Sequence, residues 1–133
     1  MSEHRDHAYR VALSLKDQPA WVRVAAVLHD VMEDEVLTLS DIIETFDVLR
    51  GLAAGTSLRI ADAVVMLSRR ADETYEAYID RLCCPPSPNH AQIQAIKIAD
   101  LEDNLEHMDA EHESLRPRYE KALARLKEAV GDE

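Results

Sequence analysis

The chain has 133 residues, of which 47% are hydrophobic and 31% are charged, and this predicts one globular domain over residues 1–133. Acidic residues outnumber basic ones by 26 to 15, so the net charge of −11 argues against binding to nucleic acid or an anionic membrane. No apolar run is long enough to span a membrane, and the adjacent cysteines Cys83 and Cys84 indicate no oxidising compartment. We therefore expect a cytoplasmic protein; the sequence does not indicate its oligomeric state.

Apolar residues recur with a period close to 3.6 along almost the whole chain, and no segment alternates as a strand does. The small numbers of glycine, three, and proline, five, agree with few turns. The pattern predicts an all-α bundle of about six to seven helices. They cover about residues 3–15, 19–34, a segment from the capping box Thr38/Asp41 through Phe46, 57–68, 73–82 with Asp72 as its cap, 89–108, and one opened by Ser114 and closed by Gly131.

Two acids follow the pair His29-Asp30 by one turn, at the carboxyl end of the second predicted helix. Glu33 lies one turn beyond His29, and Asp34 lies one turn beyond Asp30. Four such groups at a helix C-terminus oppose the helix dipole unless a cation compensates them. A bound metal ion is the natural compensation, although an acidic turn taken alone is usually a solvated helix end.

His7 on the first helix and Asp100 on the sixth would complete a metal site shared by three helices. Two imidazoles and two carboxylates form a mixed nitrogen and oxygen set that suits Mn²⁺ or another first-row divalent metal. Such a metal acidifies bound water, which Glu33 and Asp34 are placed to orient or deprotonate.

For other polar residues near these positions, the sequence gives weaker evidence of a functional role. Lys97 and Asn104 lie one turn either side of Asp100 and are candidates to hold a substrate phosphate or sugar. Asp103 is expected to be solvated, as are the remaining histidines at 90, 107 and 112. Tyr75 and Tyr78 have the spacing of a core stripe, with hydroxyls expected to be exposed.

Three motifs follow one another along the chain: H-x-x-x-V-A (His7 to Ala12), L-H-D-x-x-E-D (Leu28 to Asp34) and K-x-A-D-x-x-x-N-L (Lys97 to Leu105). In this order they resemble the motifs of the HD-domain superfamily. Within that superfamily, the chain resembles the hydrolase domain of the RelA/SpoT family, which removes pyrophosphate from the 3′ position of (p)ppGpp, and in particular its short, stand-alone members.

The resemblance implies a metal-dependent phosphohydrolase with an HD-domain fold, a small phosphorylated nucleotide as substrate and Mn²⁺ as the usual metal. By the matched motifs, the metal ligands would be His7, His29, Asp30 and Asp100, and the residues activating water would be Glu33 and Asp34. Asn104 matches a residue that contacts the nucleotide sugar, and Tyr119 is aligned with a substrate-contacting tyrosine.

Two alternatives follow from the same residues. Larger family members carry a basic segment before the first histidine ligand, whereas Arg5 is the only base before His7 here. An HD hydrolase of another nucleotide or phosphate ester is therefore one alternative. A noncatalytic HD-fold nucleotide sensor is another, although such proteins typically lose ligands or the Glu-Asp pair, and this chain keeps them. A metal-free helical module is disfavoured because burying these groups unpaired costs several kcal/mol.

Overall fold

In a computed structural model, the backbone of residues 2–33 and 56–131 and the side chains of residues 7–29 and 58–131 are described. These ranges contain six α-helices, one 3-10 helix and no strand, which confirms the all-α prediction. They are α1 (Ser2–Ser14), α2 (Ala20–Glu33), α3 (Thr56–Leu67), α4 (Tyr75–Cys83), α5 (His90–Glu106), the 3-10 helix (Ala110–Leu115) and α6 (Arg116–Val130). None of these helices has the length and apolarity needed to cross a membrane. The helix predicted to open at Thr38/Asp41 lies outside the described residues.

The start of α4 differs from the prediction, because Asp72 does not cap it. The cap is Thr74, whose Oγ1 accepts a hydrogen bond of 3.0 Å from the Ala77 amide. Glu73 turns back instead, and its carboxylate accepts from the Arg70 amide at 2.9 Å. Asp72 therefore lies inside a turn from Arg70 to Glu73, and α4 begins only after this turn, at Tyr75.

The last helix also starts later than predicted, because Ser114 lies inside the 3-10 helix rather than at an α-helical cap. Asp109 caps the 3-10 helix by accepting from the His112 amide at 3.0 Å. Pro117 stands in the first turn of α6, where its missing amide hydrogen costs no helical bond. The predicted end is confirmed: Gly131 has a φ of 80°, the left-handed conformation that glycine adopts most readily.

Helix α5 is the central element, since it contacts each of the other five described α-helices. Its apolar residues Ile93, Ile96 and Leu101 are at most 1% exposed. Helix α3 covers this centre with Ile60, Val64 and Leu67, which have the spacing of one helical face. Among the residues whose side chains are described, the rest of the core is aliphatic except for one tyrosine and comprises Val11, Leu15, Val22, Ala25, Ala26, Ala63, Tyr78, Ile79, Leu82, Ala99, Ala122 and Leu126. Because α5 is buried on several sides, its polar residues Gln94, Lys97 and Asp100 are buried too.

Candidate metal centre

The first and fifth helices bring together two residues that the sequence predicts to be metal ligands. His7 on α1 and Asp100 on α5 are 93 residues apart, and the His7 Nε2 lies 2.7 Å from the Asp100 Oδ1. Both side chains are largely buried, with 17% and 11% of their surface exposed. The packing of α1 on α5 therefore produces a close imidazole–carboxylate pair.

His29, the third predicted ligand, is 2% exposed on α2, which also packs against α5. Its Nε2 lies 3.1 Å from the carbonyl oxygen of Leu67. A carbonyl oxygen only accepts, so Nε2 carries the hydrogen and Nδ1 is the nitrogen able to act as a metal ligand. The Tyr78 hydroxyl donates to the same carbonyl at 2.5 Å. The end of α3 thus fixes the His29 ring through one backbone oxygen.

The remaining predicted residues of the centre fall at the end of the described part of α2. Asp30 and Glu33 belong to the last turns of this helix, but their side chains lie outside the described ones. Asp34 lies outside the described residues altogether. The helix does carry Asp30 and Glu33 at the same end as His29, as the sequence analysis expected.

Lys97 compensates the buried charge of Asp100. Its Nζ lies 3.0 Å from the Asp100 Oδ2, with only 8% of the lysine side chain exposed. Burial alone would raise the pKa of Asp100, but the positive charge of Lys97 and the hydrogen bond to His7 hold that pKa well below its usual range. Burial likewise opposes the charged form of Lys97, but Asp100 keeps its pKa above the usual value. The pair is therefore ionised at neutral pH.

Asp103 is part of this cluster, and the expectation that it is solvated is wrong. Its side chain is 10% exposed, and its Oδ2 lies 2.6 Å from the His7 Nδ1. Arg10 donates to both Asp103 oxygens, at 2.8 Å from Nε and 3.0 Å from the terminal nitrogen. Burial would raise the pKa of Asp103, but the hydrogen bonds from Arg10 and His7 lower it. The sequence carried one signal of this contact, the repeated three-residue spacing of His7/Arg10 and Asp100/Asp103.

A cavity of about 700 Å³ opens beside the His7–Asp100 pair. All three predicted substrate-binding residues, Lys97, Asn104 and Tyr119, line it. His107 and His112 also line the cavity and are exposed, as expected. One concave surface thus brings together residues that are up to 112 positions apart in the chain.

Tyrosines form one wall of this cavity. The Tyr75 ring lies 5.9 Å from the Tyr78 ring and 6.1 Å from the Tyr119 ring, measured between centroids. Arg118 stacks over the Tyr75 ring at 4.7 Å. The expectation of exposed hydroxyls is wrong, because the Tyr78 hydroxyl bonds to a backbone carbonyl and the Tyr75 hydroxyl is buried without a partner among the described residues. Burial raises the pKa of Tyr75 to about 12.

A second group of potential metal ligands occurs at the 3-10 helix. Ligand atoms of Asp109, Glu111 and His112 all lie within 4.8 Å of one another, and all three residues are exposed. Within the described part of the chain this is the one group of three so close together, so the ligand atoms of His29, His7 and Asp100 do not all lie within 4.8 Å of one another. The sequence analysis did not anticipate this cluster. Exposed acidic groups of this kind are common without a bound ion.

Comparison with known protein-family models, with curated proteins and with solved structures found no match to this chain. The resemblance to the HD-domain superfamily therefore rests on the three motifs and on the residues they identify.

Proposed function

We propose that this protein is a metal-dependent phosphohydrolase, with (p)ppGpp as its substrate and the 3′ pyrophosphate as the group removed. The observation that carries the proposal is the 2.7 Å approach of His7 to Asp100 at the wall of a cavity of about 700 Å³. Residues from two of the three motifs supply this pair, and Asn104 and Tyr119 line the same cavity. A concave site with convergent titratable groups is the usual location of catalysis.

The donor set suits a first-row divalent metal such as Mn²⁺, which His7, His29, Asp30 and Asp100 would hold. When bound, the ion would acidify a water molecule for attack on phosphorus. Hydrogen bonds already fix the orientation of the described ligands: Lys97 holds one oxygen of Asp100, and the Leu67 carbonyl holds the His29 ring. A histidine that binds a metal through one ring nitrogen typically donates a hydrogen bond from its other ring N–H to a carbonyl or carboxylate.

The protein residues around the cavity would bind and orient the substrate. Glu33 and Asp34, placed next to the ligands by sequence, would accept the proton of the attacking water. Asn104 and Tyr119 would contact the nucleotide sugar and base. Hydrolysis would form a bond from the water oxygen to phosphorus and break the bond from phosphorus to the 3′ oxygen. The 3′ oxygen would leave as a hydroxyl by taking the proton that the acidic pair accepted from the water.

One observation favours a second substrate class, a nucleotide or phosphate ester with fewer phosphates than ppGpp. Three Lys or Arg side chains line the cavity among the described residues, namely Arg10, Arg69 and Lys97. Two of these are ion-paired, Arg10 with Asp103 and Lys97 with Asp100. A substrate with two pyrophosphate groups needs more positive charge than Arg69 supplies, unless bound metal provides it.

Turnover with a matched pair of histidine variants tests the proposal. Purified protein is incubated with ppGpp and Mn²⁺, with and without EDTA, and GDP and pyrophosphate are separated by chromatography. We expect Mn²⁺-dependent release of both products, loss of turnover in His29→Ala and full turnover in His90→Ala, whose side chain is exposed. Activity that persists in EDTA or in His29→Ala would contradict the proposal. Turnover of GTP or dGTP without turnover of ppGpp would establish the second substrate class instead.

A further inference from the structure

Two pairs of charged residues face each other where α1 packs on α5. His7 and Arg10 are one turn apart on α1, and Asp100 and Asp103 are one turn apart on α5. His7 reaches both acids, Asp100 from Nε2 at 2.7 Å and Asp103 from Nδ1 at 2.6 Å. The two ring nitrogens therefore have different partners, and the orientation of the imidazole is defined at both ends.

Arg10 in turn fixes Asp103. Its guanidinium donates to both carboxylate oxygens, at 2.8 and 3.0 Å, which is the forked geometry that arginine forms with a carboxylate. The Asp103 side chain is only 10% exposed, so water screens these contacts weakly. Because Arg10 holds both oxygens, the carboxylate cannot rotate away from the His7 Nδ1 without breaking the ion pair.

We infer that Asp103 is a positioning residue that acts through His7, and that Arg10 holds Asp103 in place for this role. The inference rests on the proposed function, in which His7 holds a metal ion through the nitrogen that faces Asp100. A carboxylate that accepts from the Nδ1 of a histidine keeps a hydrogen on that nitrogen, so Nε2 is the nitrogen that would face a bound ion. Asp103 would thus hold the hydrogen on the His7 Nδ1 when Nε2 exchanges its contact with Asp100 for a metal ion.

Metal affinity, measured without any substrate, tests this role. Mn²⁺ binding to the full chain is followed by isothermal titration calorimetry for wild type, Asp103→Ala and Asp103→Asn. We expect Asp103→Ala to weaken binding by roughly 10- to 100-fold, the range found for such outer partners. The amide oxygen of Asp103→Asn still accepts from the His7 Nδ1, so this variant should recover most of the affinity. Glu102→Gln is the matched control, because Glu102 is the neighbouring, exposed acid on α5 and should leave affinity unchanged.

A double-mutant cycle with His7→Ala separates positioning from a general effect of charge or folding. If Asp103 acts through His7, adding Asp103→Ala to His7→Ala should change the remaining Mn²⁺ affinity less than twofold. An equal loss in both backgrounds would overturn the inference, as would wild-type affinity in Asp103→Ala. If Asp103→Ala fails to fold, Arg10→Met tests the same contact, because it removes the guanidinium that holds Asp103. A Mn²⁺ affinity of Arg10→Met equal to that of wild type would then overturn the inference.

The outcomes also distinguish this inference from the proposed function. Wild-type protein that binds no Mn²⁺ would contradict the metal centre itself, and the positioning role with it. If wild type binds Mn²⁺ and Asp103→Ala binds it equally tightly, the positioning role is contradicted and the metal centre is not.

Discussion

Replacing Lys97 by Met removes the buried ammonium that compensates Asp100, and we expect the metal-free protein to lose about 3 kcal/mol of unfolding free energy. Removing one partner of a buried ion pair costs about 3–5 kcal/mol, because the other charge remains without compensation. The pair is well buried, with 8% and 11% of the two side chains exposed. The lower end of the range applies because His7 still contacts Asp100 at 2.7 Å. For a domain of this size, such a loss lowers Tm by about 10 °C.

Urea unfolding followed by circular dichroism measures this loss against a surface control. Lys127→Met removes the Nζ that lies 3.1 Å from Glu102, where both side chains are 51% exposed, and should cost less than about 1 kcal/mol. Mn²⁺ should stabilise Lys97→Met more than it stabilises wild type, since a divalent cation near Asp100 replaces the lost charge. A loss for Lys97→Met no larger than that for Lys127→Met would refute the account of a charged, buried Lys97–Asp100 pair.

Three further substitutions test other contacts. Arg81 holds the pKa of Glu73 at about 2, below the usual 4.5, so Glu73→Gln should destabilise the protein at pH 7 by about 1 kcal/mol. The difference from wild type should shrink as the pH falls from 4.5 towards 2, and parallel pH profiles would argue against this ion pair. Tyr75→Phe should leave stability equal or higher, because it removes a buried hydroxyl with no partner among the described residues. Tyr78→Phe should cost about 1–2 kcal/mol, because its hydroxyl bonds to Leu67, and urea unfolding that ranks the two tyrosine variants in the opposite order would contradict both assignments.

The course of the helices could be predicted from the sequence because apolar spacing follows the buried faces. The face formed by Ile60, Val64 and Leu67 illustrates this, since all three residues are at most 1% exposed. Helix starts were harder to predict, because neighbouring residues compete for the cap. Asp72 and Thr74 are both good capping residues. Thr74 caps α4, and the intervening Glu73 is held by Arg81 through contacts of 2.7 and 2.9 Å that no local pattern reveals.

The candidate centre could be predicted only in part, again because some of its contacts join residues that are distant in the chain. Motif spacing identified His7 and Asp100, and the structure brings them into contact; their role as metal ligands stays a prediction. Asp103 was expected to be solvated, because its partners Arg10 and His7 are more than 90 residues away and meet it only when α1 packs on α5. The spacing of residues along one helix indicates which side chains share a face, but not what faces them.

The central claim is that the metal centre lies at His7, His29 and Asp100, and a direct test compares it with the exposed cluster that includes His112. Mn²⁺ bound per chain is measured by electron paramagnetic resonance for wild type, His29→Ala and His112→Ala. The account predicts that His29→Ala loses the bound ion, whereas wild type and His112→Ala retain it. Loss of the ion in His112→Ala with retention in His29→Ala would place the metal at the exposed cluster and contradict the account.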